Sequence, residues 1–305
     1  MSRVAIVVVT YNSAGEIGAC LDALRNYDAE IVVVDNASTD ATRAEVRSRG
    51  VRLIENATNL GFAGGVNAGV RATTAPLVLL LNPDAIFMRG MEALESEFDN
   101  SKIGAAGGML TDSAGKPQAG FMARNLPTPT TLVFEILGLN ALFPRNPVNW
   151  HYRCLGMDPV TPSLVEQPAG AFLMFPRTVW ERTGGFDERF FPVWFEDVDF
   201  CLKIKDLGLQ IRYVPAAAAQ HAGGRSVNTL PLEIRERYWY GSLLKYAAKH
   251  YRTAGFLPVC VSVLPGAVLR AVREFPRYGF RAVKVYGTVC RIALGQLKFA
   301  PKGRR

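Results

Sequence analysis

The stretch Leu77-Val-Leu-Leu-Leu-Asn82-Pro83-Asp84 decides how the rest of the chain is read. Four leucines and a valine in five residues describe a strand covered on both faces, as inside a parallel sheet. Pro83 cannot donate to a sheet ladder and restrains the residue before it, so the strand stops there. Asp84 is thereby delivered to the carboxyl edge of the sheet, where open α/β sheets bind ligands. An acid at such an edge has two readings. One is an ordinary turn residue; the other is a ligand holding one face of a divalent ion while phosphates and water hold the rest.

Working back toward the start, Val4 to Thr10 is a first buried strand, followed by Tyr11-Asn12. Ser13-Ala-Gly-Glu16 has the spacing of a helix capping box, and Ile17, Leu21 and Leu24 then share one helical face. Ile31-Val-Val-Val-Asp35 is a second strand, and a polar helix runs on to Gly50, a C-cap. Val51 to Glu55 is a third strand, which makes the order βαβαβαβ and predicts a mostly parallel sheet. Asp35 either accepts the N3–H of a pyrimidine or caps a turn. Asn59-Leu-Gly61-Phe-Ala-Gly64-Gly65-Val-Asn67 supplies glycines for close backbone approach at a helix N-terminus, a setting for diphosphate. The cluster lacks the G-x-G-x-x-G spacing and follows the third strand, which argues against a dinucleotide fold.

Beyond Asp84, residues 89 to 167 are irregular and carry prolines at 117, 127, 129, 144, 147, 159 and 162. Leu132 to Phe143 is apolar but too short to span a bilayer, and reads as core, loop or a contact with lipid. Gly170-Ala171-Phe-Leu-Met-Phe-Pro176 restores a strand, and Gly184-Gly185 ends a short helix. Trp194-Phe195-Glu196-Asp197-Val198-Asp199 then packs three carboxylates beside aromatics at the first turn of a helix. They either complement the helix dipole or include a general base in a partly apolar pocket. His221, in Gln220-His-Ala-Gly-Gly-Arg225, is a loop histidine or a ligand to metal or phosphate.

Charge divides the chain. From Arg235 to Arg305 there are 15 Lys/Arg and two Asp/Glu, a net of +13 that leaves −5 on the remainder. Such a tail suits an anionic surface. Leu232 to Tyr251 predicts an amphipathic helix rich in Tyr and Trp. Thr253 to Leu269 is uncharged but broken by Pro258 and Pro265, and the last stretch alternates basic residues with aliphatics as interfacial helices do. That alternation disfavours nucleic acid. Membrane-surface attachment competes here with docking of these faces on the protein itself. Five scattered cysteines and no signal-peptide pattern predict a reducing, cytoplasmic location.

Six segments together resemble the family 2 glycosyltransferases of GT-A fold, especially their rhamnosyltransferase-like branch. They are Val8-Val-Thr-Tyr-Asn12, Val33-Val-Asp35-Asn-Ala-Ser38-Thr-Asp40, Asn59-Leu-Gly-Phe-Ala-Gly64, Leu80-Leu-Asn-Pro-Asp84, Gly184-Gly-Phe-Asp187-Glu188 and Glu196-Asp-Val-Asp199. They run in the family's order across residues 4 to 225. The resemblance implies a Rossmann-like, mostly parallel central sheet flanked by helices. A catalytic domain over 1–228 (nucleotide-sugar half about 1–110, acceptor half 111–228) would precede a basic helical region over 229–305.

By position, the resemblance assigns Thr10, Tyr11, Asn12, Asp35, Asn59, Gly61, Asn67 and Asn82 to the nucleotide and Asp84 and His221 to a divalent metal, Mg²⁺ or Mn²⁺. Arg225 goes to the diphosphate, Asp197 becomes the base, and Gly170, Ala171, Trp194 and Glu196 fall on the acceptor side. Asn82 stands where a D-x-D motif has its first acid, which weakens the expected metal site. The implied reaction is inverting transfer of a sugar, L-rhamnose from dTDP-rhamnose, to a lipid-linked or polysaccharide acceptor at the inner face of the plasma membrane. The rivals are a non-catalytic nucleotide-sugar or glycan binder, a transferase using a UDP- or GDP-sugar, and a nucleotidyltransferase. The last lacks a basic glycine loop after the first strand.

Overall fold

The computed structural model describes residues 2–223 and 230–297. Arg225 lies outside the described residues. By contact the chain forms two compact units. The first comprises Met1–Asn125, Met157–Pro192 and Glu196–Asn228; the second comprises Leu126–Gly156, Val193–Phe195 and Thr229–Arg305. The second unit takes in the region expected from residue 229 onward and, with it, residues 126–156 and 193–195. Residues 126–156 pack with the C-terminal helices because their apolar side chains find cover there.

The first unit is built on one sheet. Its strands are β1 (Val4–Thr10), β2 (Ala29–Asp35), β3 (Arg52–Glu55), β4 (Leu77–Leu81), β5 (Ala85–Arg89), β6 (Ile103–Thr111), β8 (Ser163–Val165), β10 (Phe172–Pro176) and β11 (Gln210–His221). The short strands β7 (Ala123–Arg124) and β9 (Gln167–Pro168) pair separately. The order is β3-β2-β1-β4-β10-β6-β11-β5, with β8 against β11. The run β3-β2-β1-β4 is parallel, as the βαβ pattern predicts. Beyond β4 the sheet is mixed. β10 lies antiparallel to both β4 and β6, and β5 lies antiparallel to β11.

Burial explains the order. Every residue of β1 and β4 is buried, so both strands occupy the middle of the sheet with cover on each face. Leu79 and Ile6 are fully buried in the main core, and truncating either to alanine costs about 2–5 kcal/mol by the usual cavity penalty. The helices Ile17–Leu24 and Gly61–Arg71 supply part of that cover.

The capping box expected at Ser13 does not form. The main-chain N–H of Ser13 donates to Thr42 Oγ1 at 2.7 Å, and its carbonyl accepts from Glu16 and Ile17. The helix starts at Ile17 with no side-chain cap. Gly50 does close the helix Thr42–Ser48, in the left-handed region at φ +67°.

The second unit is helical. Leu232–His250, Thr253–Tyr278 and Phe280–Gln296 are its long helices, and the apolar segment that begins at Leu132 falls in the helices Pro129–Ile136 and Leu139–Leu142. A Cβ on Gly266 would sit 2.6 Å from the Ile136 carbonyl oxygen, so the backbones cross there at a distance only glycine permits. Tyr251 OH donates to the Pro127 carbonyl at 2.5 Å, and Arg270 donates to the Glu135 carbonyl at 3.0 Å.

Thr253–Tyr278 is long and apolar enough to cross a membrane, yet 39% of its most apolar window is buried within the protein and three prolines interrupt it. Its outer face carries Leu257, Val261, Val268, Leu269, Val272 and Phe275, all exposed; Phe280 and Val283 follow on the next helix.

Candidate active site

Strand pairing assembles the site. Asn82-Pro83-Asp84 is the three-residue link between β4 and β5, closed by a bond from Ala85 N–H to the Asn82 carbonyl at 3.0 Å. β5 then runs antiparallel to β11 with Ala85 opposite His221. The Ala222 N–H donates to the Asp84 carbonyl at 3.2 Å. His221 Nε2 consequently lies 3.3 Å from Asp84 Oδ1.

That approach is not a hydrogen bond. His221 is buried, and its Nε2 has no hydrogen-bond partner among the described residues. A buried nitrogen beside a carboxylate, with neither hydrogen-bonded to the other, is a pair that could hold a divalent ion, since Mg²⁺ takes one or two protein ligands and completes its shell elsewhere. Among the described residues no group of three or more His, Cys, Asp or Glu could hold a metal. The residues present fit an ion that relies on substrate phosphates for its remaining ligands.

Asp197 reaches the same sheet edge by a separate route. Leu81, at the end of β4, pairs with Phe172, at the start of β10, and the Asn82 N–H donates to the Ala171 carbonyl at 3.0 Å. One residue earlier, the Gly170 N–H donates to Asp197 Oδ2 at 3.2 Å. Gln167 Nε2 donates to the same oxygen at 3.2 Å, and the Val198 N–H donates to Oδ1 at 2.8 Å. A Cβ on Gly170 would stand 3.0 Å from the Asp197 Cβ, which makes glycine the fitting residue at that position. Asp84 and Asp197 thus share one end of the β4–β10 pair, two residues from Asn82 and one hydrogen bond from Gly170.

Burial raises the Asp197 carboxyl above the usual aspartate range, partly offset by bonds from Gly170 and Val198 and by the Arg124 charge. Glu196 is pushed well above its ordinary value by burial and by its neighbours Asp197 and Asp199. One of its carboxyl oxygens has no hydrogen-bond partner. Burial and the adjacent carboxylates favour the protonated form of this side chain. Asp199 sits 3.4 Å from the Lys203 ammonium.

The other expected residues are distributed as follows. Thr10 and Asp35 face each other across β1 and β2, with Thr10 Oγ1 donating to Asp35 Oδ1 at 3.2 Å and the Ser38 N–H donating to Oδ2 at 2.9 Å. Both side chains are fully buried, so this edge presents Tyr11 and Asn12, which are exposed, in their place. Asn12 has φ +53° and accepts from the Thr39 N–H at 2.8 Å.

Asn67 is a correction. Its amide donates to the Phe186 carbonyl and Glu188, and its oxygen accepts from Trp180 Nε1 and the Phe186 N–H, all within 3.0 Å. With both donors and both lone pairs engaged, it has no capacity left for a nucleotide. At Gly61 and Asn59 the contacts are local: Asn59 Oδ1 caps the Gly61 N–H at 2.8 Å, and Phe62 N–H donates to the Pro192 carbonyl at 2.7 Å. A Cβ on Gly61, whose φ is +74°, would meet that Pro192 oxygen at 2.9 Å. The first two N–H groups of the helix expected to bind diphosphate, those of Gly61 and Phe62, are thus engaged by protein oxygens.

Asn82 is half-buried and contributes its main chain; Ala171 contributes its carbonyl. Trp194 belongs to the second unit. Its φ of +77°, followed by +70° at Phe195, places two consecutive non-glycine residues in the left-handed region, a strained conformation of the kind that clusters at functional segments. Residues that sequence reading missed are Gln118, Phe121, Arg124 and Gln167. They adjoin His221 or Asp197 but carry no motif: Gln118 and Phe121 lie in irregular chain, and Arg124 and Gln167 in the two-residue strands β7 and β9.

With this geometry in hand, comparison with known proteins places the chain. Glycosyl transferase family 2 matches residues 5–157, and a related pattern, Glycosyl transferase family group 2, matches residues 148–295. The chain belongs to glycosyl transferase family 2.

Within it, the chain is 28% identical to an N-acetylglucosaminyl-diphospho-decaprenol L-rhamnosyltransferase of Mycobacterium tuberculosis, over 80% of this chain and 84% of that one. It is 26% identical to the low-salt glycan biosynthesis hexosyltransferase Agl10 of Haloferax volcanii, over 72% and 67% respectively. In fold it matches the mannosyltransferase PcManGT from Pyrobaculum calidifontis, solved with GDP-Man and Mn²⁺, at a TM-score of 0.53 and 19% identity, covering 97% of this chain and 85% of that one. The architecture is GT-A, and the chain is of the rhamnosyltransferase-like kind.

Proposed function

We propose that the protein is an inverting glycosyltransferase that moves L-rhamnose from dTDP-rhamnose to a hydroxyl of a lipid-linked or polysaccharide acceptor in cell-envelope glycan synthesis. The observation that carries this reading is the arrival of Asp84, His221 and Asp197 at one sheet edge through the Asn82–Ala171 and Gly170–Asp197 hydrogen bonds. The donor sugar and the lipid-linked acceptor are supported by the names of the mycobacterial relatives.

Asp84 and His221 would hold a divalent ion, Mg²⁺ or Mn²⁺; PcManGT was solved with Mn²⁺. When bound, such an ion neutralises charge on a departing diphosphate. Asp197 accepts the proton of the acceptor hydroxyl as that oxygen forms its bond to the anomeric carbon and the bond to the diphosphate oxygen breaks. The resemblance assigns no second acid as a covalent nucleophile, and Glu196 is buried. Single displacement with inversion follows, by the opposed-face logic of inverting glycosidases.

Asp197→Asn is expected to reduce turnover by about 10²-fold or more while nucleotide binding persists, measured by transfer assay and thermal shift. Turnover at the wild-type rate would remove Asp197 from the reaction. A panel of dTDP-, UDP- and GDP-sugars, with and without Mn²⁺, identifies the donor by protection against unfolding. Protection without transfer to any acceptor would favour a binding protein.

The second unit supports a peripheral position on the cytoplasmic face of the plasma membrane. The exposed apolar residues of Thr253–Tyr278 and Phe280–Gln296 are interspersed with exposed Arg273, Arg277, Lys284 and Arg291. That mixture suits an anionic lipid interface.

A further inference from the structure

Gln118 holds the residue that sequence motifs tie to the metal, and it does so through both ends of its amide. One end lies 2.8 Å from the main-chain carbonyl oxygen of His221, and the other lies 3.2 Å from His221 Nδ1. A carbonyl oxygen only accepts, so the end facing it is the amide NH₂. The end facing the ring is then the amide oxygen, which also only accepts. Nδ1 must therefore carry the ring hydrogen. In a neutral imidazole this leaves Nε2 as a bare lone pair, and Nε2 is the buried, unpartnered atom 3.3 Å from Asp84 Oδ1.

The clamp is itself anchored. Gln118 N–H donates to the Leu110 carbonyl at 2.8 Å, and its own carbonyl accepts from Phe121 and Met122. Phe121 stacks on the His221 ring with centroids 5.2 Å apart and planes 8° from parallel, which sets the ring's plane as Gln118 sets its tautomer.

The alternative tautomer explains why this matters. With hydrogen on Nε2, His221 would donate to Asp84 and close the space between them. With hydrogen on Nδ1 alone, two acceptors face each other, an arrangement that a divalent cation relieves, as would a second ring proton making His221 the positive partner of Asp84.

We propose that Gln118 is a positioning residue: it fixes His221 as the Nδ1–H tautomer with its Nε2 lone pair toward Asp84, and so sets the affinity of that pair for a divalent cation. This rests on the reading of Asp84 and His221 as the cation site.

The full chain contains three histidines, so ¹⁵N-histidine spectra of the metal-free protein report the tautomer directly. Wild type is expected to show His221 as the Nδ1–H form, and Gln118→Met to lose it. Titration with Mn²⁺ alone, read from the free-ion paramagnetic resonance signal, should be about 10–100-fold weaker in Gln118→Met, the usual cost of losing such an outer partner. Gln118→Glu keeps an acceptor for Nδ1–H but loses the donor to the His221 carbonyl, and is expected to bind Mn²⁺ more tightly than Gln118→Met. The double variant Gln118→Met/His221→Ala should bind no more weakly than His221→Ala, because Gln118 acts only through the ring.

Equal Mn²⁺ affinity in wild type and Gln118→Met, or an unchanged tautomer, overturns the role of Gln118 alone. A wild-type protein that takes up no Mn²⁺, either alone or with a nucleoside diphosphate present to complete the shell, overturns the cation site, and this proposal with it.

Discussion

Two neighbouring acids, Glu196 and Asp197, are driven in the same direction by burial but left with different prospects. Asp197 keeps three hydrogen-bond donors and the influence of Arg124, so it remains an acceptor with a raised pKa. A base works only when deprotonated. The acid limb of the kcat/KM profile is therefore expected above the ordinary aspartate range, and Arg124→Met should move it higher still, since the guanidinium favours the charged carboxylate.

Glu196 gives the opposite lever. A carboxyl whose folded pKa is raised binds more protons in the folded state, so stability is lost as pH rises from the unfolded value toward the folded one. Glu196→Gln removes that dependence. Its stability relative to wild type is expected to grow from pH 5 to pH 8, measured by urea unfolding at each pH. No change with pH would mean that Glu196 ionises normally. Both acids were visible as a pair in the sequence; their divergence depends on Gly170, Gln167 and Arg124, none of which lies beside them in the chain.

At the scale of elements, the joint that matters is the one made by Asn67. It ties the helix Gly61–Arg71 to the helix Arg177–Thr183 through Trp180, and to the following Gly184-Gly-Phe-Asp-Glu segment through Phe186 and Glu188. Asn67→Ala strands buried donors and an acceptor and is expected to cost roughly 2–4 kcal/mol of stability, given about 1–3 kcal/mol for each buried group left unmade. Chemical denaturation measures the loss, and the donor KM of the folded variant should not change. A raised donor KM with wild-type stability would return Asn67 to the nucleotide site.

The sequence placed both helices, one by its glycine-rich start and the other by the Gly184-Gly185 that ends it, but not this joint. A hydrogen-bonding asparagine on a helix face has the same sequence signature as a ligand-binding one. The antiparallel insertion of β10 between β4 and β6 was hidden for a related reason. A fully buried apolar strand carries no mark of its direction.

At the scale of the whole molecule, the chain forms an α/β unit and a basic helical one. The apolar outer face of the second unit predicts that Val268→Glu and Phe280→Glu each weaken binding to vesicles containing anionic phospholipid. About tenfold or more is expected at either position, from the ~1.5–3 kcal/mol carried by a large apolar side chain. Both residues are exposed, at 61% and 77%, so neither change should unfold the unit. Cosedimentation checks this, and undiminished binding in both variants would mean that these faces do not meet lipid. Removing the tail would be a poorer test, because Thr253–Tyr278 covers Ile136 and Pro129.

The sequence alone determined the βαβαβαβ order, the acids at strand ends and the uneven charge. These depend on short-range rules: buried strands need continuous apolar runs, proline ends them, and charge is additive along a chain. Tertiary structure alone decided that His221 sits beside Asp84, that Gly170 holds Asp197, and that Gln118 chooses a histidine tautomer. Those outcomes depend on which distant strands pair, and pairing is selected by the packing of a whole core rather than by any local pattern.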